Sequence, residues 1–209
     1  YKEIKNFDFE KKKNYLNNKL QVFSKSFSDF SLINTKANIK NKKLECKFNA
    51  YQKKVLKEKE KYKRKRLVTT NWFFDHLRGE NLKIRDKIIY NKGIDIKVPW
   101  EVARFQHLSK LCVFAYLNNH DEDYDFIKFQ ILDFIVVNPP TLGIHWLNAM
   151  EVAIRGSNLS MITDILILKN KLSDQEKLIF YNSINDHLLF ILGILEWSPL
   201  SRNNHYLTN

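Results

Sequence analysis

The sequence predicts an all-α protein built from antiparallel helical hairpins. From residue 99 onward, apolar residues recur at the three- and four-residue spacing of amphipathic helices. Short polar turns separate these stretches, and prolines stand at several of their boundaries. Little after residue 100 has the alternating pattern of a strand. Short turns between helices of similar length favour neighbours that pack antiparallel.

The first third of the chain is the basic part. Residues 44–66 predict a helix with a thin apolar stripe and a lysine-rich surface, and residues 69–98 predict an irregular segment that wraps over the helices. We therefore divide the chain into a basic N-terminal segment, residues 1–94, with one or two helices, and a helical-hairpin part, residues 95–209.

The hairpin part contains the clearest helix signals. Pro99 suits the first turn of a helix that continues to Asn118. An acidic turn then begins a second helix, which Asn138-Pro139-Pro140 ends.

Two further helical stretches follow. A third helix is expected from about His145 to Arg155, with an interruption at residues 156–158 before the apolar run 161–168. Ser173 and Glu176 form a capping box that begins the last long helix, and Pro199 ends it.

Charge and cysteine content limit the classes of function. The net charge is +12, and residues 1–66 carry 21 Lys/Arg against seven Asp/Glu, so the basic excess lies in the N-terminal segment. Such an excess attracts polyanions, either nucleic acid or acidic polysaccharide. Cys46 and Cys112 predict neither a disulfide framework nor a metal site, and no apolar run of about 18 residues predicts a membrane span. Because the sequence opens at Tyr1 rather than at a methionine, we expect a piece of a longer chain.

Three motifs follow one another in the hairpin part. The first is Trp100-Glu101-x-x-Arg104, and the second joins Asn138-Pro139, Gly143 and Trp146 to Glu151-x-x-x-Arg155. The third is Asn203-Asn204-His205. In this order they resemble the helical N-terminal region of the heparinase II/III family of polysaccharide lyases, over roughly residues 95–209. The resemblance implies an incomplete (α/α) toroid of helical hairpins, normally followed by further helices and a β-sandwich domain, and a bacterial protein that is periplasmic or secreted.

The same resemblance implies a reaction. Lyases of this family cleave a glycan that contains uronic acid by β-elimination: a base removes the C5 proton and an acid protonates the departing glycosidic oxygen. The neighbouring carboxylate makes that proton poorly acidic, so an amide and an imidazole that donate to the carboxylate would stabilise the enolate-like transition state. We assign this neutralisation to Asn204 first and His205 second, with His205 alternatively a base. The acid/base tyrosine of the family follows this motif further downstream, so residues 1–209 are expected to hold half an active site and to be inactive alone.

The candidates for substrate binding are residues of the motifs and their neighbours. They are Trp100, Arg104, His145, Trp146, Arg155 and Arg202. Arg202 stands beside the amides and imidazole, a donor set suited to an anionic ligand rich in oxygen. For the others, packing within the helices is the competing interpretation, and His187 on an apolar helix is expected to be a hydrogen-bonded core residue.

Two other classes of function stay open. One is a non-catalytic helical module that binds a polyanionic glycan, or, less favoured, nucleic acid, since the lysine-rich segment has no interleaved aromatic platform. The other is a glycoside hydrolase with the toroid fold, although no opposed pair of carboxylates is marked. We expect an acidic polysaccharide as the partner, with no metal and no cofactor, because the histidines are dispersed.

Overall fold

The computed structural model describes residues 50–65, 67–82 and 95–194, and these residues are mostly helical. The helices are α1 (Ala50–Glu60), α2 (Lys97–Ala103), α3 (Gln106–Asn118), α4 (Asp121–Val137), α5 (Ala149–Leu168) and α6 (Asp174–Gly193). Single 3-10 turns occupy Lys63–Lys65 and Ile144–Trp146. Two short strands, β1 (Phe74–Asp75) and β2 (Glu80–Asn81), pair antiparallel.

Local sequence sets several helix ends as predicted. The Ser173 side chain accepts the Glu176 N–H at 3.2 Å, and the Glu176 carboxylate accepts the Ser173 N–H at 2.8 Å, so the capping box that begins α6 is confirmed. Acidic residues occupy the first turn of α4, where their negative charges interact favourably with the positive end of the helix dipole. That helix ends at Val137, just before Asn138 and the two prolines.

The predicted helix from Pro99 to Asn118 is wrong in one respect, because it is two helices. Phe105 separates α2 from α3 with a left-handed backbone at φ 61°. Its ring is fully buried and lies 5.0 Å from the Phe134 ring and 5.8 Å from the Trp72 ring, measured between centroids. The burial of this aromatic side chain stabilises a conformation that the sequence pattern alone does not indicate.

The predicted interruption at residues 156–158 is also wrong, since α5 runs without a break through Gly156. A Cβ atom at Gly156 would lie 3.3 Å from the Cβ of His187 on α6. Glycine is therefore present because the two helices approach closely, and not because the helix ends there.

Residue contacts define how the helices pair. Phe105, directly before α3, lies near Phe134 of α4, and Arg155 of α5 contacts His187 of α6. Each pair is roughly symmetric about the connecting turn, which makes both pairs antiparallel hairpins. The two hairpins meet through α3 and α5, which run parallel, because Asn158 contacts Arg104 at one end and Lys169 contacts Asn119 at the other.

Helix α1 covers both hairpins. It packs antiparallel on α4, where Lys59 binds Asp133 and the Gln52 amide donates to the Val136 carbonyl. The Tyr51 hydroxyl donates to the Ile179 carbonyl of α6 at 3.0 Å. The main hydrophobic core lies between these helices and includes Trp72 from the irregular segment between α1 and β1.

The all-α prediction is confirmed except for the small sheet in residues 74–81. The turn between its strands is organised by Asp75, whose buried carboxylate accepts the N–H groups of Leu77 and Arg78. Gly79 closes the turn with a positive φ of 73°. Among the described residues, no helix combines the length and apolar character that a bilayer crossing requires.

Candidate functional site

Most of the predicted substrate-binding residues meet at one place, where α2, the Ile144–Trp146 turn, α5 and α6 pack together. We call this group the α5 polar cluster. It consists of Trp100, Arg104, His145, Trp146, Glu151, Arg155 and His187. The predicted residues Arg202, Asn204 and His205 lie outside the described residues.

Arg104 and Glu151 form the outer part of the α5 polar cluster. The guanidinium of Arg104 donates to both carboxylate oxygens of Glu151, at 2.6 and 2.7 Å, and also pairs with Glu101. This bidentate hydrogen bond raises the pKa of Arg104. Glu151 is buried, and two arginines compensate its charge. One is Arg104 at the end of α2, and the other is Arg155, one turn further along α5.

Arg155 forms the inner part and is only 1% exposed. Its Nε donates to His187 Nε2 at 2.8 Å, and one terminal nitrogen donates to the His145 carbonyl at 2.9 Å. The guanidinium carbon lies 4.8 Å from the centroid of the Phe134 ring and 5.1 Å from that of Trp146. Burial lowers the pKa of Arg155 to about 9, so a cation is retained at neutral pH among neutral acceptors and aromatic faces.

Both histidines of the α5 polar cluster are neutral. His187 Nδ1 lies 2.6 Å from the Ser183 carbonyl and must donate there, which leaves Nε2 free to accept from Arg155. His145 Nε2 donates to the Trp72 carbonyl at 2.8 Å, and its buried Nδ1 has no hydrogen-bond partner among the residues that the structure describes. Burial and the nearby charge of Arg155 lower the pKa of each imidazole to about 3. The expectation that His187 is a hydrogen-bonded core residue is confirmed.

The two tryptophans hold the turn that precedes α5. Trp100 Nε1 donates to the Ile144 carbonyl at 2.8 Å, and Trp146 Nε1 donates to the Asn138 carbonyl at 3.3 Å. Gly143 begins this turn with a positive φ of 82°, a conformation that favours glycine. The Asn-Pro-Pro, Gly and Trp positions of the second motif therefore shape one buried turn.

The exposure of these side chains limits what each can contact. His145, Trp146 and Arg155 are buried, whereas Trp100 and Arg104 are half-buried. In the described part of the chain, His145, Trp146 and Arg155 pack inside the junction of α5 and α6, and Trp100 and Arg104 lie at its edge. A role of any of them in sugar binding stays a prediction.

A second buried polar group was not predicted from the sequence. The Asp133 carboxylate, 3% exposed, accepts the indole N–H of Trp72 at 2.7 Å and pairs with the Lys59 ammonium at 2.5 Å. It joins α1, α4 and the segment before β1. The signal was an acidic residue placed between Leu132 and Phe134 in an otherwise apolar stretch.

Within residues 50–65, 67–82 and 95–194, no group of three or more His, Cys, Asp or Glu side chains is arranged to hold a metal ion.

Comparison with known proteins gave no match: no protein-family model, no curated protein and no solved structure matches this chain.

Proposed function

We propose that this chain is the N-terminal helical part of a polysaccharide lyase that cleaves a uronic-acid-containing acidic glycan by β-elimination. The proposal starts from the ordered motifs that resemble the heparinase II/III family. Asn204 and His205 are the residues to which we give the chemistry.

One observation carries the proposal: the residues of the first two motifs, which the structure describes, form a single unit in space. Trp100, Arg104 and Trp146 come from different parts of the sequence, yet they meet Glu151 and Arg155 in the α5 polar cluster. Chance matches to short motifs have no reason to be connected by hydrogen bonds and ring contacts. Their convergence supports reading them as one signature of a common helical framework.

The helix packing supports the toroid that the resemblance implies. In an (α/α) toroid, successive antiparallel hairpins stand side by side, so their first helices run parallel, as α3 and α5 do. The outer face of α6 is also apolar, with Leu178, Tyr181 and Leu188 each at least 50% exposed and Leu192 71% exposed. A helix that is apolar on both faces is suited to a position between two layers. We propose that a further hairpin of the toroid packs against this face.

The proposed reaction follows from the acidity of the sugar proton. A base takes the C5 proton, the electron pair forms a double bond between C4 and C5, and the C4–O bond breaks as the glycosidic oxygen is protonated. Asn204 donates hydrogen bonds to the substrate carboxylate as negative charge moves onto it, with His205 as a second donor. Donors that bind more strongly in the transition state than in the ground state raise kcat.

The test is the appearance of unsaturated uronate, which absorbs in the ultraviolet, when the full-length protein is offered alginate or heparan sulfate. Asn204→Ala should lower kcat by about 100- to 1,000-fold, the range seen when one such donor is removed. Asn203→Ala is the matched control and should retain most of the activity.

An unchanged rate in Asn204→Ala would exclude the proposed role of that amide. Release of new reducing ends without ultraviolet absorbance would instead indicate hydrolysis. Glycan binding without any cleavage would indicate a non-catalytic module.

A further inference from the structure

The outward face of α1 carries lysines that the packing of the core does not use. Lys53, Lys54 and Lys57 are exposed. At 100° per residue, Lys53 and Lys57 lie opposite the buried side chain of Val55, and Lys54 lies on the flank of the helix beside Lys57. We call these three residues the lysine face.

Other lysines of this region have carboxylate partners. Lys59 binds Asp133, Lys63 binds Glu60 at 2.8 Å, and Lys65 binds Asp125. In the part of the chain that the structure describes, Lys53, Lys54 and Lys57 form no ion pair with an acidic side chain. Among the described residues, three cationic groups therefore lie on one side of α1 without a carboxylate partner.

The lysine face continues into an open depression at the end of α1. Lys57 lines this depression together with Glu60, Lys61 and Lys63. With a rise of about 1.5 Å per residue, Lys53 and Lys57 stand roughly 6 Å apart along the helix. The positive charge thus follows the helix axis as a short row and is not a single point.

We propose that the lysine face is a docking surface for the acidic polysaccharide, in addition to the groups to which the elimination is assigned. This inference rests on the proposed function for its choice of ligand. Lysine ammonium groups are mobile point charges that bind anions without a fixed geometry. They suit a chain that repeats carboxylate or sulfate groups and slides along the surface.

A nucleic acid is the other polyanion to consider, and the aromatic residues of α1 argue against it. Single-stranded nucleic acids are held by bases stacked on exposed aromatic side chains. The Tyr62 ring is buried, and Tyr51 is half-buried with its hydroxyl bonded to the Ile179 carbonyl of α6. Tyr51 of α1 and Tyr62, in the turn after α1, are therefore both engaged with the core.

Docking by charge alone has a definite kinetic signature. Because the contact is equally strong in the ground state and in the transition state, it lowers KM and leaves kcat unchanged. Its strength should fall as salt rises, since the lysines are exposed.

The experiment compares the full-length protein with the triple variant Lys53→Gln/Lys54→Gln/Lys57→Gln, using alginate and heparan sulfate as probes. Affinity is measured by calorimetry over a salt series, and KM and kcat by ultraviolet absorbance. We expect about a tenfold loss of affinity at low salt, a similar rise in KM, the same kcat and a shallower salt dependence. Glutamine keeps the helix propensity of lysine, so circular dichroism should show unchanged helicity.

The control is Lys97→Gln/Lys110→Gln/Lys177→Gln, which removes the same charge from other helices. It should retain most of the affinity and the wild-type KM.

Equal losses in the two triple variants would overturn the docking surface, because they would reflect net charge alone. Absence of any glycan binding by the wild-type protein would also overturn it. Tighter lysine-dependent binding of duplex DNA than of either glycan at the same salt would assign the face to nucleic acid instead. Lysine-dependent glycan binding without cleavage would uphold the docking surface while the lyase proposal fails.

Discussion

Lowering the pH from about 7 to about 5 should destabilise the fold through His145 and His187. Both imidazoles are buried in neutral form, and the pKa of each is about 3 in the folded protein. After unfolding, each returns to its ordinary value of 6.5. Between these two values the unfolded chain binds protons that the folded chain does not. The stability that these two neutral imidazoles contribute is therefore fully present above about pH 6.5 and is lost as the pH falls towards 3.

The size of the effect follows from the pKa difference. A pH of 5 lies roughly 1.5 units below the pKa of each imidazole in the unfolded chain. Protonation of the unfolded chain therefore lowers the free energy of unfolding by about 2 kcal/mol per histidine. The two together would remove about 4 kcal/mol, a large share of the 5–15 kcal/mol typical of a folded domain. His107, whose pKa is lowered to about 4 by burial and by Lys110, acts in the same direction.

The assay is urea unfolding followed by circular dichroism at several pH values, with His187→Gln as the informative variant. Its side-chain oxygen can still accept from Arg155, but the group no longer titrates, so the slope of stability against pH should fall by about one proton. His120→Gln, at the exposed start of α4, controls for the substitution itself. If the stability of the wild-type protein does not change between about pH 7 and 5, the two imidazoles are not buried in neutral form.

Two further predictions concern the junction of α5 and α6. Arg155→Met should lower the free energy of unfolding by about 2–4 kcal/mol, since two buried acceptors lose their donor. Lys177→Met, which removes an exposed ion pair with Asp174, should cost about 1 kcal/mol or less. Equal effects in these two variants by urea unfolding would contradict the contacts assigned to Arg155. Gly156→Val should cost about 1–3 kcal/mol, because its Cβ meets His187 at 3.3 Å. Gly193→Val, where a Cβ meets nothing within 4 Å, should change the thermal midpoint much less, and the reverse order would show that α5 and α6 do not pack as described.

The features that could be predicted from the sequence are those decided by neighbouring residues. Ser173 and Glu176 satisfy each other within one turn, so the start of α6 needs no information from the rest of the chain. Asn138 and its following prolines end α4 for a similar reason, since a proline restricts the residue before it.

Features that depend on distant residues could not be predicted. Phe105 takes a left-handed conformation because its ring packs against Trp72 and Phe134, and the helical pattern on either side gives no sign of this. The sequence pattern predicts a break at Gly156 because glycine is a poor helix former, whereas the close approach of His187 on α6 explains why a glycine stands there.

The candidate site shows the same division. The motif residues could be selected from their order, and the core role of His187 from its apolar surroundings. The sequence could not indicate that Glu151 binds Arg104, because that pair requires α2 and α5 to lie together. Nor could it show that Arg155 is held between two aromatic rings.

The position of α1 over both hairpins has a consequence for the order of folding. The Tyr51 hydroxyl reaches a carbonyl 128 residues away, and Tyr62 reaches Glu176 across 114 residues, whereas α3 with α4 and α5 with α6 are joined by short turns. Closing a long loop carries a larger entropic cost than closing a short one. We therefore expect the two hairpins to form first and α1 to dock last. Its release is then the first step of unfolding, one that carries the lysine face away while the α5–α6 junction is still intact.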